Sequence, residues 1–256
     1  MKLKFIFLLL SIVLNVSISL ANDNSSLLSK TWWQNATKEE VIQELQRKKD
    51  INIRDYIGST PLMIACTSTD KIENIILLLH YGADIHATNK AGANALMFAS
   101  GKNNNPSIIS ALIKKGAKIN KKNKLGQTAL MMASKDNPNS KIIKMLIKHK
   151  ADIFYIDNNG ATALMLASGF NSSTDVIITL LKQGAKINQI DKKGWTPLIY
   201  ASATSKNPEI ITSLLQRGAD ANIIDAMGKK AIDYAKKNSD IYQTEAYNYL
   251  LKLTSN

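Results

Sequence analysis

The sequence predicts an all-α solenoid of stacked helix-turn-helix units that are joined by β-hairpin-like fingers. Two periodic columns carry this prediction. A glycine recurs every 34 residues without a slip, at Gly58, Gly92, Gly126, Gly160, Gly194 and Gly228. An alanine seven positions later keeps the same step, from Ala65 to Ala235. A fixed period of this length is typical of units that bury too little apolar surface to fold alone.

The unit 160–193 shows how each element is predicted. Thr162 can cap a first helix, and Leu164 marks the buried face of that helix. After a polar turn, the apolar spacing of "DVIITLLKQG" predicts a second helix that ends at Gly184. A turn that begins at Asp191 then closes a hairpin-like finger against the neighbouring unit.

The strings "GSTPLMIA", "GWTPLIYA", "GADI" and "GAKI" resemble the threonine-proline-leucine and glycine-alanine-aspartate strings of ankyrin repeats. Tetratricopeptide repeats share the period, so these motifs rather than the length favour the ankyrin family. One departure is that methionine or isoleucine replaces the histidine that follows the family's leucine. The hydrogen bond that this histidine usually makes is therefore not expected here. Another is Lys150, which stands where Gly116 and Gly184 end their helices.

The predicted array is capped at both ends. Thr37 and Glu40 form a capping box in the first cap, and the last unit turns polar at Lys229, Lys230 and Asp233. The predicted organisation is a signal peptide at 1–21, an N-terminal capping half-repeat at 22–57, five full repeats at 58–91, 92–125, 126–159, 160–193 and 194–227, and a C-terminal capping repeat at 228–256.

The N-terminal segment is typical of a secretory signal peptide. Lys2 and Lys4 precede an apolar run over 5–14, and small residues end at Ala21. A membrane anchor is the alternative, but the ten-residue run is about half the ~20 residues that a spanning helix needs. We therefore expect an exported, periplasmic or secreted protein of bacterial type. Since Cys66 is the one cysteine, packing rather than a disulfide must stabilise it.

The formal charge is +13, or +11 without Lys2 and Lys4, which favours an anionic partner. The competing interpretation is composition bias: three of the 33 basic residues are arginine, and arginine is the residue that binds phosphate bidentately. Both interpretations stay open from the sequence.

We expect no catalytic site, cofactor or metal. Cys66 occupies a column of serines and is expected to be a small packed residue, and the methionine column is expected to form core rather than a soft-metal site. His80, His86 and His149 fall in three different repeat columns, and no phosphate-binding glycine loop stands apart from the repeat glycines.

Binding residues are expected where the repeat columns differ. The fingers present aromatic and lysine side chains, and the predicted partner-binding residues are Tyr56, Lys90, Lys124, Tyr155, Lys192 and Trp195. The ankyrin resemblance implies a scaffold that binds another protein, and we expect it to do so as a monomer through its fingers and concave helix face. The alternative is a polyanion-binding protein that uses its lysine-rich fingers on envelope lipid, glycan or nucleic acid.

Overall fold

The computed structural model describes residues 26–47 and 50–254, and nearly all of the regular structure is helical. The predicted signal peptide, 1–21, lies outside the described residues. Fourteen helices form within the described ranges: α1 Lys30–Asn35, α2 Lys38–Arg47, α3 Pro61–Ser68, α4 Ile72–His80, α5 Ala95–Lys102, α6 Pro106–Lys114, α7 Ala129–Asp136, α8 Ser140–Lys148, α9 Ala163–Phe170, α10 Thr174–Lys182, α11 Pro197–Thr204, α12 Pro208–Leu215, α13 Ala231–Ala235 and α14 Glu245–Thr254. None of these helices is long and apolar enough to cross a membrane.

The helices alternate between two layers. Odd-numbered helices pack on one another to form an inner layer, even-numbered helices form an outer layer, and α3 to α14 pair within successive units. In the described residues, every helix pair with substantial contact belongs to one unit or to two adjacent units. The predicted solenoid is therefore confirmed. The first cap, predicted as a half-repeat, contains a helix pair, α1 and α2, whose first member has six residues.

Each full repeat begins its inner helix with a side-chain cap. The Thr60 hydroxyl accepts a hydrogen bond of 3.5 Å from the Met63 amide, and the equivalent Thr162 bond to the Met165 amide is 3.3 Å. The sulfur of Met63 in turn accepts the Thr60 amide at 3.5 Å, and Met165 accepts the Thr162 amide at 3.3 Å. In these two repeats, methionine thus supplies a reciprocal cap at the position where the family resemblance led us to expect histidine.

The outer helices of the five full repeats are followed by a residue in the left-handed backbone region, as predicted. Gly116 has φ 100° and Gly184 has φ 94° at this position, whereas Lys150 is held at φ 71°. A side chain with a Cβ is strained there, because the left-handed region brings Cβ close to the following carbonyl oxygen. The Lys150 position is thus a locally unfavourable one.

A row of asparagines, buried at Asn103, Asn137 and Asn171 and partly buried at Asn238, joins successive units between the two layers. The Asn103 amide group donates to the carbonyl oxygens of Cys66 at 3.0 Å and Thr69 at 2.7 Å. The equivalent bonds are made by Asn137 to Ser100 and Asn103, by Asn171 to Ser134 and Asn137, and by Asn238 to Ser202 and Ser205. Ser205 breaks the row, because its hydroxyl bonds locally to Asn207. The bonds satisfy buried backbone groups and couple each unit to the one before it.

The core runs the length of the array rather than forming a single centre. The leucine four positions after each repeat glycine, from Leu62 to Leu198, is at most 1% exposed, and Trp33 is fully buried in the first cap. The Trp33 indole donates to the Leu27 carbonyl at 2.9 Å, which closes the N-terminal end of the stack. The predicted hairpin fingers are turns in the described residues, with one isolated antiparallel bridge between Ile156 and Thr162.

Candidate binding surface

Each finger is a tight turn held by one side chain. At the junction of the third and fourth repeats, Oδ1 of Asp157 accepts the amides of Asn159 at 2.8 Å and Ala161 at 2.9 Å. The same pair of bonds is made in the other fingers by Asp55, Asn89, Asn123, Asp191 and Asp225. The recurring aspartate is therefore a turn device, and asparagine serves equally well.

The fingers are joined edge to edge by backbone hydrogen bonds. The amide of Lys90 donates to the carbonyl of Ile57 at 3.0 Å, and the amide of Lys124 donates to that of Ala91 at 3.0 Å. The pattern continues with Asn158 to Leu125, Lys192 to Asn159 and Ala226 to Lys193. At Gly126, an added Cβ would lie 2.8 Å from the Asn158 amide nitrogen, so the close approach of the fingers requires glycine.

Four of the six predicted binding residues share this one column. Tyr56, Lys90, Lys124 and Lys192 stand two positions before the repeat glycine, on successive fingers apart from the one that carries Asn158. All four are exposed, and Tyr56 is 86% exposed. We call this column, completed by Asn158, the finger row.

More lysines lie beside the finger row. Lys121, Lys122 and Lys193 are exposed on the same fingers. The ion pair recorded within the described residues joins Lys236 and Asp233 at 3.9 Å, and no carboxylate of the described ranges is within that reach of the finger lysines. The fingers therefore form a cationic surface.

Tyr155 is a partly buried residue rather than a free anchor. Its ring lies under the Lys122 ammonium, at 4.6 Å from nitrogen to ring centroid. The adjacent Phe154 is the more exposed aromatic, with 57% of its surface accessible. A cation held over an aromatic face is a modest contact at an exposed site.

Trp195 belongs to an aromatic cluster at the other end of the array. Its ring makes edge contacts with Tyr200 at 5.4 Å and with Tyr234 at 4.9 Å between centroids. Its indole nitrogen donates to Asp225 Oδ2 at 3.1 Å across to the next finger. The Tyr200 hydroxyl donates to Asp191 Oδ2 at 2.8 Å, and the Tyr234 hydroxyl donates to Asp225 Oδ2. Trp195 thus covers its neighbouring finger.

These bonds shift the pKa of the groups involved. Burial by itself would raise the pKa of Asp225, but hydrogen bonds from Tyr234, from two finger amides and from Trp195 outweigh it and hold that pKa below its usual value. Burial, followed by the bond to Asp225, raises the pKa of Tyr234 to about 12. Burial and the bond to Asp191 raise the pKa of Tyr200 as well.

An open groove lies at the opposite end of the concave face. It has a volume of about 780 Å³ and runs from α1 across the inner helices α3, α5 and α7. Its apolar lining comes from Leu28, Tyr56, Ile57, Met63, Ile64, Met97, Phe98 and Met132, with Lys30, Lys102, Asp55 and Asp136 among its polar residues. Of the predicted binding residues, Tyr56 is the one that lines it.

The remaining reactive side chains are dispersed. Cys66 is fully buried, and burial raises the pKa of its thiol, which disfavours the thiolate. The hydroxyl of Ser110 lies 3.3 Å from Nε2 of His149 on the outer layer, with no carboxylate bonded to that imidazole in the described residues. Within the described ranges, no three His, Cys, Asp or Glu side chains are grouped to hold a metal ion.

Comparison with known proteins agrees with the geometry. A sequence model of ankyrin repeats, three copies long, matches residues 31–123, 96–191 and 171–256. The chain belongs to the ankyrin-repeat family. A crystal structure of the human ASB11 ankyrin repeat domain superposes with a TM-score of 0.74 at 21% sequence identity, covering 90% of this chain and 98% of that one. This likeness concerns the ankyrin fold alone. No curated protein sequence matches the chain.

Ankyrin-repeat proteins are generally non-enzymatic scaffolds for protein-protein interaction. The concave helix face was predicted to bind, but of the residues that line its groove the sequence prediction named only Tyr56. Its floor combines Phe98 and Met132 with Ile64, one residue from each of three successive repeats in the same column. The sequence signal that could have found it is the change within this column. The groove end carries Ile64, Phe98 and Met132, which have no hydrogen-bonding hydroxyl, whereas the other end carries Tyr200 and Tyr234.

Proposed function

We propose that the chain is an exported scaffold that binds another protein through its finger row and the adjoining concave groove, without catalysis. The observation that carries this proposal is the juxtaposition of the two features at Tyr56. Its exposed ring stands at the end of the finger row and also forms a wall of the groove. An aromatic residue at the edge of an apolar depression, with charged residues around it, is the pattern found at interface hot spots.

The rigidity of the surface supports the same function. The finger row is fixed by backbone bonds between fingers, and the inner helices beneath it are capped and buried. A preformed surface loses little conformational entropy when a partner binds. The positive charge of the row would speed the encounter with an acidic partner. Opposite charges on two proteins attract each other over about a Debye length and so steer association.

Removal of charge from one face tests the proposal. Lys90, Lys124 and Lys192 are replaced together by alanine, and the matched control replaces Lys114, Lys148 and Lys182, which end three outer helices and are equally exposed. Both triple variants lose the same net charge. After crosslinking in the native cell and identification by mass spectrometry, the finger variant and Tyr56→Ala should lose partners that the control keeps. Equal loss from both triple variants would contradict the proposal.

Polyanion binding is the second candidate, and the observation that favours it is that the finger lysines have no carboxylate of the described residues within ion-pairing distance. Binding to heparin, anionic vesicles or single-stranded DNA would then fall steeply between ~50 and ~200 mM salt, because each neutralised charge releases a counterion. A protein complex anchored by Tyr56 should change much less over that range. Tight, salt-sensitive binding of a polyanion that outcompetes the captured protein would favour the second candidate.

Export is tested by the mass of the mature chain. If residues 1–21 are a cleaved signal peptide, the protein recovered from its cell should begin at Asn22 and be found outside the cytoplasmic fraction. A chain that retains Met1 and fractionates with cytoplasmic proteins would overturn this part of the proposal.

A further inference from the structure

Equivalent finger aspartates have different hydrogen-bond donors at the two ends of the array. In the last two fingers, Oδ2 of each aspartate is bonded by a tyrosine nine residues later, Asp191 by Tyr200 and Asp225 by Tyr234. Asp225 also accepts the indole N–H of Trp195 from the preceding finger. At this end, aromatic donors of the chain itself occupy the space between the fingers and the inner helices.

The first finger lacks such a donor. Oδ1 of Asp55 accepts the amides of Ile57 at 3.0 Å and Ser59 at 2.7 Å, as in every other finger. Nine residues later stands Ile64, which cannot donate a hydrogen bond. No residue of the described ranges donates to Oδ2 of Asp55, and Asp55 lines the open groove. The groove thus corresponds in position to the space that Tyr200 and Tyr234 fill elsewhere.

The lining of the groove suits an aromatic ring. Phe98 and Met132 are partly exposed, and Leu28 and Ile57 stand at its sides, so a bound ring would leave water for an apolar surface. A carboxylate oxygen inside that surface favours a ring that carries an N–H or O–H. Lys30 and Lys102 balance the charges of Asp55 and Asp136 at the same groove, so the groove has no excess negative charge that would select a cationic group such as arginine.

The surroundings also specify the charge of the partner. The finger row continues from the groove with exposed Lys90 and Lys124, and neither has a carboxylate of the described residues within ion-pairing distance. A segment that enters the groove and follows the fingers therefore meets positive charge on its way. Electrostatic complementarity favours acidic residues beside the aromatic anchor.

We infer that the groove between Asp55 and the inner helices α3, α5 and α7 binds a tryptophan or tyrosine of an acidic segment in a partner protein, with the indole N–H or phenol O–H donated to Asp55. The inference rests on the proposed function, for which it specifies the chemistry of the partner. The bound side chain would reproduce the contacts that Tyr200 and Trp195 make within this chain.

One variant closes the groove from inside. Ile64→Tyr places a tyrosine nine residues after Asp55, so its hydroxyl can bond Oδ2 as Tyr200 bonds Asp191. The matched control is Leu166→Tyr, which creates the same spacing after Asp157 in the fourth repeat, away from the groove. Both tyrosines replace side chains that are at most 6% exposed, so circular dichroism and an unfolding curve must show that each variant is folded.

A second variant changes one atom in the groove. Asp55→Asn keeps the turn, because Asn89 and Asn123 hold their fingers with the same two amide bonds. It replaces a carboxylate acceptor with an amide group, however. Asp157→Asn is the matched control, since it makes the same change outside the groove.

The experiment is a selection of random 12-residue displayed peptides on the full mature protein, followed by titration of labelled peptides against the four variants. Enriched peptides should carry a Trp or Tyr among Asp and Glu residues. Replacing that aromatic residue by Phe, which keeps a ring but no donor, should weaken binding about tenfold or more, as should Asp55→Asn. Ile64→Tyr should abolish binding, whereas Leu166→Tyr and Asp157→Asn should bind as the unaltered protein does.

Three results would overturn the inference: enriched peptides without an aromatic donor, enriched peptides anchored by arginine, or binding that is unchanged in both Asp55→Asn and folded Ile64→Tyr. Failure of the proposed function gives a different result. If a cellular partner is lost in the finger-lysine variant but still binds Ile64→Tyr, the inference about the aromatic donor is wrong and the proposed scaffold function stands. If the partner still binds every finger and groove variant, both the inference and the proposed function are wrong.

Discussion

The side-chain nitrogen of Asn137 lies 2.8 Å from the carbonyl oxygen of Asn103, the residue at the same place in the preceding repeat. The same nitrogen also donates to the Ser100 carbonyl at 3.1 Å. The backbone carbonyl of Asn137 in turn accepts a bond from the side chain of Asn171, in the next repeat, at 2.9 Å. Because Asn103, Asn137 and Asn171 are buried, their bonds link the repeats through groups that water does not reach. The row therefore couples adjacent repeats in addition to the backbone bonds between the fingers.

Removal of one link should destabilise the stack. Asn137→Ala leaves two buried carbonyl oxygens without their donor, and we expect a loss of about 2 to 4 kcal/mol in the free energy of unfolding. Denaturant unfolding measures this change. Asn158→Ala is the control, since its amide donates to Lys124 at an exposed site, where a loss below about 1 kcal/mol is expected. Equal losses in the two variants would show that the buried row does not couple the repeats.

The gap in the row should be repairable. Ser205→Asn places an amide where Asn103, Asn137 and Asn171 carry theirs, within reach of the preceding repeat. Two new bonds to the carbonyls of Ser168 and Asn171 should raise the free energy of unfolding by about 1 kcal/mol. The measurement is the shift in the denaturation midpoint at an unchanged slope. A decrease in the free energy of unfolding would mean that the Thr204 hydroxyl, which donates to the Gly169 carbonyl at 3.1 Å, already fills the space between these two repeats.

The strained helix end at Lys150 should be improved by glycine. Lys150→Gly removes a left-handed residue with a Cβ, which costs about 1 to 2 kcal/mol, although the greater freedom of glycine in the unfolded chain offsets part of that gain. We expect a net stabilisation of about 0.5 to 1 kcal/mol by thermal or denaturant unfolding. The reverse change, Gly116→Ala, should destabilise, since its Cβ would meet no atom within 4 Å and the cost is that of the backbone alone. Lys150→Gly without stabilisation would show that the strain is absent.

The aromatic cluster should give the stability a dependence on acid pH. The folded pKa of Asp225 lies below its unfolded value, so its contribution is present above about pH 4 and is lost as the pH falls through the folded pKa. Tyr234→Phe removes one of the bonds that lower this pKa. The variant should be less stable than the unaltered protein at pH 7, and the difference should shrink as the pH falls toward 3.

At high pH the same pair gives a second window. The pKa of Tyr234 is raised to about 12, so the stabilisation that its neutral hydroxyl provides is present below the unfolded pKa of about 10 and lost between these two values. Urea midpoints across both windows test the pair. Tyr242→Phe is the control, because Tyr242 is exposed and its hydroxyl makes no bond in the described structure. A constant difference at every pH would contradict the role of the Asp225 bond.

The fold could be predicted from the sequence because the same pattern of structural residues recurs in every repeat. The 34-residue glycine column predicted the finger turns, and the leucine and alanine columns predicted the inner face. The hairpin-like fingers that were predicted are turns with little strand structure, since each is fixed mainly by its own aspartate or asparagine and by the next finger. The methionine caps were missed because thioether acceptors at Met63 and Met165 are weak and have no distinct sequence signal.

The binding surface was predictable only in part. Exposed lysines in one column can be read from the sequence, and the structure places Lys90, Lys124 and Lys192 in one row. Whether an aromatic residue is a free anchor or an internal contact depends on its neighbours in space. Trp195 bonds an aspartate 30 residues away, and the groove opens where Ile64 supplies no ring.

The most direct test of the central claim is photocrosslinking from single positions in the producing cell. A photoreactive amino acid is placed at residue 56 on the groove, at residue 124 in the finger row, or at residue 148 on the outer layer. We expect crosslinked partner protein from positions 56 and 124 and none from position 148. Crosslinks from position 148 alone, or from all three positions equally, would contradict binding through the fingers and the concave groove.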